Sequence, residues 1–175
     1  PDRATIVYAN RIREVFGDIP VVIGGLEASL RRFAHYDYWE DKVRRSILFD
    51  AQADLLVYGM GETATLDIAA RLNSGTPVGE ITDVRGTCFA GRHPGQCAYP
   101  MVEVPSFEEV SSSKRAYAQA NMVEYQEHDA AVGKAAVLPL RIHFLHLIPR
   151  PDPQRAEERK RVAHRPRRLV TQPMH

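Results

Sequence analysis

The stretch PVVIGGLEASLRRFAHYDYW, residues 20–39, decides how this chain is read. Val21-Val22-Ile23 is an apolar, β-branched run of the kind that forms a buried strand, and it stops at Gly24-Gly25 before a helix-like segment. Adjacent glycines at a strand's carboxyl end let the backbone turn sharply and leave its amides uncovered by side chains. The same grammar returns in ADLLVYGMGE, residues 53–62, where a short apolar strand runs into Gly59 and Gly61 and a helix opens at Glu62. In open α/β sheets, ligands bind outside the carboxyl ends of the strands. The two turns therefore mark one edge of a ligand-binding layer.

Outward from these turns, residue periodicity predicts helices over 4–16, 26–34, 40–50 and 62–73, with strands over 20–24, 54–59 and 79–85. In the first helix Ile6, Val7, Ile12, Val15 and Phe16 fall near one face, with Asp2 placed to cap. Gly75 and Pro77 stop the helix over 62–73. Alternating strands and helices imply an α/β fold with a parallel sheet covered on both faces. This is an incomplete Rossmann-like, flavodoxin-type layer with flanking helices. The segment GTCFAGRHPGQCAYP, residues 86–100, reads as a loop. A further helix opens at Pro105-Ser106, where Ser106 and Glu109 have capping-box spacing. Phe107, Val110, Tyr117, Met122 and Tyr125 supply its apolar face.

Composition bounds the function. The 175 residues are 44% hydrophobic with a net charge of +1, which fits a soluble globular protein. No apolar run approaches the roughly 20 residues that span a bilayer, and no signal peptide is visible, so a cytoplasmic location is expected. The charge is uneven: residues 141–175 hold nine Lys and Arg against three Asp and Glu, a net of +6. That stretch also carries Pro149, Pro151, Pro153, Pro166 and Pro173, and it is expected to be irregular. The chain enters a helix almost at once, which places residue 1 inside a longer protein on this reading.

The candidate site residues are Gly24, Gly25, Glu27 and Ser29 at the first turn and Gly59, Gly61 and Glu62 at the second. Loop and helix-start amides at such turns can hold a ligand. The alternative is a tight strand-to-helix reversal with no ligand, with Glu62 merely suiting the helix dipole. Gly59-x-Gly61 lacks the third glycine of a dinucleotide fingerprint. The run from Arg31 to Trp39 offers His35 and Asp37 for proton transfer, or a connector whose rings pack and whose polar tips reach water. Arg44-Arg45 with Asp41 and Lys42 reads as a solvated helix face. Cys88, His93 and Cys97 are too few and too widely spaced for a zinc site. No P-loop, HExxH or nucleophile elbow is present.

Several stretches together resemble the YgiQ-type radical SAM proteins: PDRATIVYANRIREVF, PVVIGGLEASLRRFAHYDYW, DKVRRSILFDAQADLLVYGMGE, DVRGTCF and VPSFEEVSSSKRAYAQAN. The resemblance implies that residues 1–130 are part of an N-terminal domain similar to the cobalamin-binding α/β fold. In that family this region precedes a catalytic barrel whose CxxxCxxC motif holds a [4Fe–4S] cluster that cleaves S-adenosylmethionine. This chain has no CxxxCxxC, so neither the cluster nor another cofactor is expected in it, and alone it should be inactive. Cobalamin remains possible for the parent protein. The expected partners are the barrel of the parent and a small molecule at the strand ends, with no membrane. From residue 131 the chain stops resembling the family, and 131–175 reads as an irregular, basic Pro/Arg-rich tail with the bias of an out-of-frame or mispredicted end. Two other readings stand beside this one: a non-enzymatic binding or interaction module using Arg31–Trp39, and an RNA-associated protein using the basic tail. The tail lacks interleaved aromatics, which disfavours nucleic acid.

Overall fold

Two apolar clusters lie on opposite faces of one strand, and that alternation organises the fold. A computed structural model describes residues 3–90, 101–128, 136–139 and 144–146. In chain order the elements are α1 (Ala4–Phe16), β1 (Val22–Ile23), α2 (Gly25–Leu30), the hairpin β2 (His35–Asp37) and β3 (Lys42–Arg44), and α3 (Ile47–Asp50). There follow β4 (Leu55–Val57), α4 (Glu62–Asn73), a 3-10 turn Val78–Glu80, β5 (Thr87–Ala90), β6 (Met101–Val104), α5 (Phe107–Ser112), α6 (Lys114–His128), β7 (Ala136–Pro139) and β8 (Phe144–His146). On β4, Leu56 turns toward Val21, Ile23, Ala28, Ile47 and Leu48 beside Tyr58 and Cys88. Leu55 and Val57 turn the other way, toward Ala64, Ile68, Ile81, Val84 and Phe89. Period-two alternation thus buries both faces of β4, which explains its uniformly apolar sequence.

The sheet is mixed. Its order is β1-β4-β5-β8-β7-β6, with a separate β2-β3 pair. β1 and β4 run parallel, with Val22 opposite Leu55 and Ile23 opposite Leu56, as the sequence grammar implies. β5 then runs antiparallel to β4, β8 antiparallel to β5, and β7 antiparallel to β8, while β6 and β7 are parallel. The all-parallel sheet expected from alternation is therefore corrected, and the parallel character is confined to the β1–β4 and β6–β7 pairs.

Three local expectations also change. The segment 79–85 is no strand: Pro77 leads into the 3-10 turn, and the strand begins at Thr87, within the stretch read as a loop. Gly86 at φ 74° turns the chain back so that β5 can pair with β4. The helix expected over 40–50 is a hairpin strand followed by α3, whose Ser46 side chain caps the Leu48 amide at 3.2 Å. The C-terminal stretch expected to be irregular supplies β7 and β8.

Helix ends follow the sequence more closely. Ser106 and Glu109 form the expected capping box. Gly75 at φ 88° ends α4, with its amide on the Leu72 carbonyl and the Thr76 amide on the Arg71 carbonyl, the two bonds of a Schellman motif. At the start of α1 the N-cap position belongs to Arg3, in a left-handed conformation with no side-chain cap, and Asp2 lies outside the described residues.

Candidate functional site

Parallel pairing of β1 and β4 brings the two glycine turns side by side at the strands' carboxyl ends. The glycines there serve two different physical needs. A Cβ on Gly24 would sit 3.2 Å from the Val57 carbonyl oxygen, and one on Gly61 would sit 2.6 Å from Val57 Cγ1. These two are glycine because β4 presses against them. Gly25 at φ 81° and Gly59 at φ 70° have nothing within 4 Å of a built Cβ. They are glycine because the backbone is left-handed there, and open space lies beside them. The edge thus has an inner pair that packs and an outer pair with uncovered backbone.

The polar residues at the edge divide similarly. Both Glu27 carboxylate oxygens are engaged within the protein: Oε2 accepts from the Thr5 amide at 3.0 Å and the Thr5 hydroxyl at 2.9 Å, while Oε1 meets Arg31 at 2.9 Å. Ser29 is half-buried, and its carbonyl accepts from the Arg32 guanidinium. Glu62 is exposed in the first turn of α4.

Beneath the second turn lies a buried charged cluster that sequence reading missed. Arg32 is 5% exposed and pairs with Glu124 of α6 at 2.6 Å. Its guanidinium stands 5.0 Å from the ring centre of Tyr58, the residue directly before Gly59, and 5.3 Å from that of Phe33. Burial raises the Glu124 carboxyl above its ordinary value while Arg32 opposes the shift. Burial likewise pushes the Tyr58 phenol and the Cys88 thiol well up, with Arg32 opposing both. The signal was present only in part: Arg32 directly precedes the apolar Phe33-Ala34 in the sequence, but its partner is 92 positions away.

The Arg31–Trp39 run is divided among several roles. Phe33 is buried against Val104, Ala120 and Val123. His35 Nδ1 sits 3.1 Å from the Phe33 carbonyl, and burial holds its imidazole below the ordinary value. Asp37 is buried and pairs with Arg3 at 2.5 Å, and it also accepts from the Trp39 amide at 3.1 Å. Burial alone would raise this carboxyl, but Arg3 and the turn amides more than offset that and bring it below its ordinary value. Asp37 is thereby committed to holding the hairpin. The rings of Tyr38 and Trp39 lie 4.7 Å apart at a tilt of 40°, both exposed at the hairpin turn. The run read as a solvated helix face is part of this hairpin: Arg44 bonds Asp50 at 2.7 Å and Glu40 at 2.9 Å.

The residues present do not fit an iron–sulfur cluster. Such a cluster needs three thiolates close together, and the chain has two cysteines. Cys88 lies fully buried in the sheet, whereas Cys97 and His93 lie outside the described residues. Among the described residues no helix is long and apolar enough to cross a membrane.

Comparison with known proteins gives the family. A family model described as "Radical SAM N-terminal" matches residues 1–172, a span that includes most of the basic tail. A UPF0313 protein of Methanocella arvoryzae is 53% identical over 137 residues, covering 78% of this chain and 23% of its own length. One of Clostridium botulinum is 45% identical over 175 residues, covering 100% of this chain and 27% of its own. One of Geobacter sulfurreducens is 57% identical over 120 residues, covering 69% of this chain and 20% of its own. The chain thus spans about a quarter of the length of the curated relatives it matches. No solved structure matches it. The chain belongs to the radical SAM N-terminal family, in the form carried by the YgiQ-type, or UPF0313, proteins.

Proposed function

We propose that this chain is the N-terminal layer of a radical SAM enzyme, and that its β1–β4 carboxyl edge meets a small molecule or the catalytic barrel of the parent protein. The observation that carries the reading is the pairing of two left-handed glycines, Gly25 and Gly59, with open space beside both, at the ends of adjacent parallel strands. Uncovered amides at the carboxyl ends of strands are where α/β layers take ligands. The β1-α2 and β4-α4 units supply the Rossmann-like, cobalamin-binding-like part of the proposal. On this reading Gly25, Gly59 and the exposed Glu62 face the ligand, whereas Gly24, Gly61 and Glu27 hold the turn in shape. The [4Fe–4S] cluster and S-adenosylmethionine belong to another part of the parent polypeptide, and this chain alone has no catalysis.

Titration of the chain with a corrinoid, a nucleotide and S-adenosylmethionine tests the ligand arm. Saturable binding that Gly59→Val abolishes supports it. The second reading, a protein-interaction module, draws on the exposed Tyr38–Trp39 pair. Binding to the separately produced barrel that is lost in Trp39→Ala but kept in Gly59→Val supports that reading instead.

A further inference from the structure

We infer that the outer face of α1, together with the free edge of β1, is an interface that another part of the full-length UPF0313 polypeptide covers. The inference rests on family membership and on surfaces away from the glycine turns. Helix α1 carries two apolar faces where an outer-layer helix needs one. Ile6 and Ala9, flanked by Asn10 and Arg13, face the body of the protein: Ala9 is buried, Asn10 donates to the Asp50 carbonyl at 3.0 Å, and Arg13 pairs with Asp54 at 2.6 Å. Tyr8, Ile12 and Val15, at spacing i, i+4, i+7, lie on the opposite side and are 59%, 39% and 71% exposed. Phe16 adds 63% exposure at the helix end, and Ile19 and Val22 carry the exposed apolar surface on into β1.

β1 stands at the end of the sheet order. The Val21 carbonyl accepts from the Asp54 amide at 2.9 Å and so points toward β4. Strand alternation therefore aims the main-chain groups of Val22 the other way, where no described strand lies. An unpaired edge beside a large apolar patch is what a soluble protein normally covers.

The candidate occupants differ in chemistry. The chain's own residues 147–175 are basic and proline-rich, a poor match for an apolar stripe and a strand edge. The relatives, in contrast, carry about three quarters of their length beyond the region this chain matches. A strand and an apolar element from that remainder fit both surfaces at once.

Hydrogen–deuterium exchange on the 175-residue chain and on the full-length Clostridium botulinum relative tests this. Peptides aligned with residues 4–23 should exchange at least tenfold more slowly in the full-length protein. Peptides aligned with β4 should be protected in both, which controls for folding. Equal exchange across 4–23 in the two proteins overturns the inference. Protection in the chain that rises with its own concentration, alongside a dimer mass by light scattering, also overturns it and assigns the face to self-association. In the chain alone, Val15→Glu should leave the melting temperature unchanged and reduce aggregation. A large loss of stability would show that the face is already covered.

Discussion

Glu27 closes the helix that precedes it in the chain: its Oε2 accepts hydrogen bonds from both the amide and the hydroxyl of Thr5, in the first turn of α1. Arg3 at the N-cap provides no side-chain cap, so a carboxylate from α2 does that work across 22 positions. The negative charge also suits the positive end of the helix dipole. Removing it with Glu27→Ala should cost about 1–2 kcal/mol, the usual worth of a cap plus its dipole contact. Urea unfolding of that variant, of Thr5→Val and of the double variant measures it. Simple additivity of the two single changes would show that the residues do not act together.

Gly25 and Gly61 should fail for different reasons. At Gly25 a side chain meets no neighbour but must adopt φ 81°, so Ala and Val should both destabilise by about 1–2 kcal/mol. At Gly61 the backbone is ordinary, at φ −84°, and the obstacle is Val57 Cγ1. Val57→Ala should therefore relieve part of the cost of Gly61→Ala and none of the cost of Gly25→Ala. Denaturant midpoints of the three single Ala variants and the two double variants with Val57→Ala decide this, and equal relief at both sites would contradict the division into packing and conformational glycines.

The Asp37–Arg3 pair predicts a pH signature. Asp37 has its carboxyl lowered in the folded state, so the folded protein binds that proton less readily than the unfolded chain. Its stabilisation is present above the ordinary aspartate range and lost as pH falls through the lowered value. Asp37→Asn should therefore lower the melting temperature at neutral pH, and the gap from wild type should close in acid. A gap independent of pH would mean that the carboxylate charge is not what holds the hairpin.

The Cys88 thiol should be inert in the folded protein, because it is fully buried and burial raises its pKa. In a Cys97→Ser background, reaction with a disulfide reagent should proceed only at the rate of unfolding. Prompt modification under native conditions would show that the sheet opens at β5.

What the sequence disclosed was local. Helices over 4–16 and 62–73 match α1 and α4 residue for residue, because the periodicity lies within each segment and the Gly75 stop follows just after the second. The β1 and β4 turns were likewise visible as Gly24-Gly25 and Gly59-x-Gly61. What escaped depends on distant partners. Residues 42–44 form a strand because Asp37 is fixed by Arg3 and Arg44 is held by Glu40 and Asp50. Residues 87–90 form a strand because β4 and β8 flank them on both sides. Helix α6 turns Ala120 and Val123 inward; of the residues expected on its apolar face, Tyr117 is half-buried while Met122 and Tyr125 are exposed. In the candidate site, Arg32 and Glu124 were missed for the same reason: neither carries a local sign of the other.

On the proposed function, this chain is one layer of a radical SAM protein and the cluster chemistry lies elsewhere in the parent polypeptide. Anaerobic iron–sulfur reconstitution of this chain and of the full-length Clostridium botulinum relative, followed by desalting, iron analysis and assay of S-adenosylmethionine cleavage, tests it most directly. The full-length protein should retain about four irons per chain and form 5′-deoxyadenosine, while this chain retains no stoichiometric iron and forms none. Stoichiometric iron on this chain, or a full-length protein that holds no cluster, would overturn that proposal.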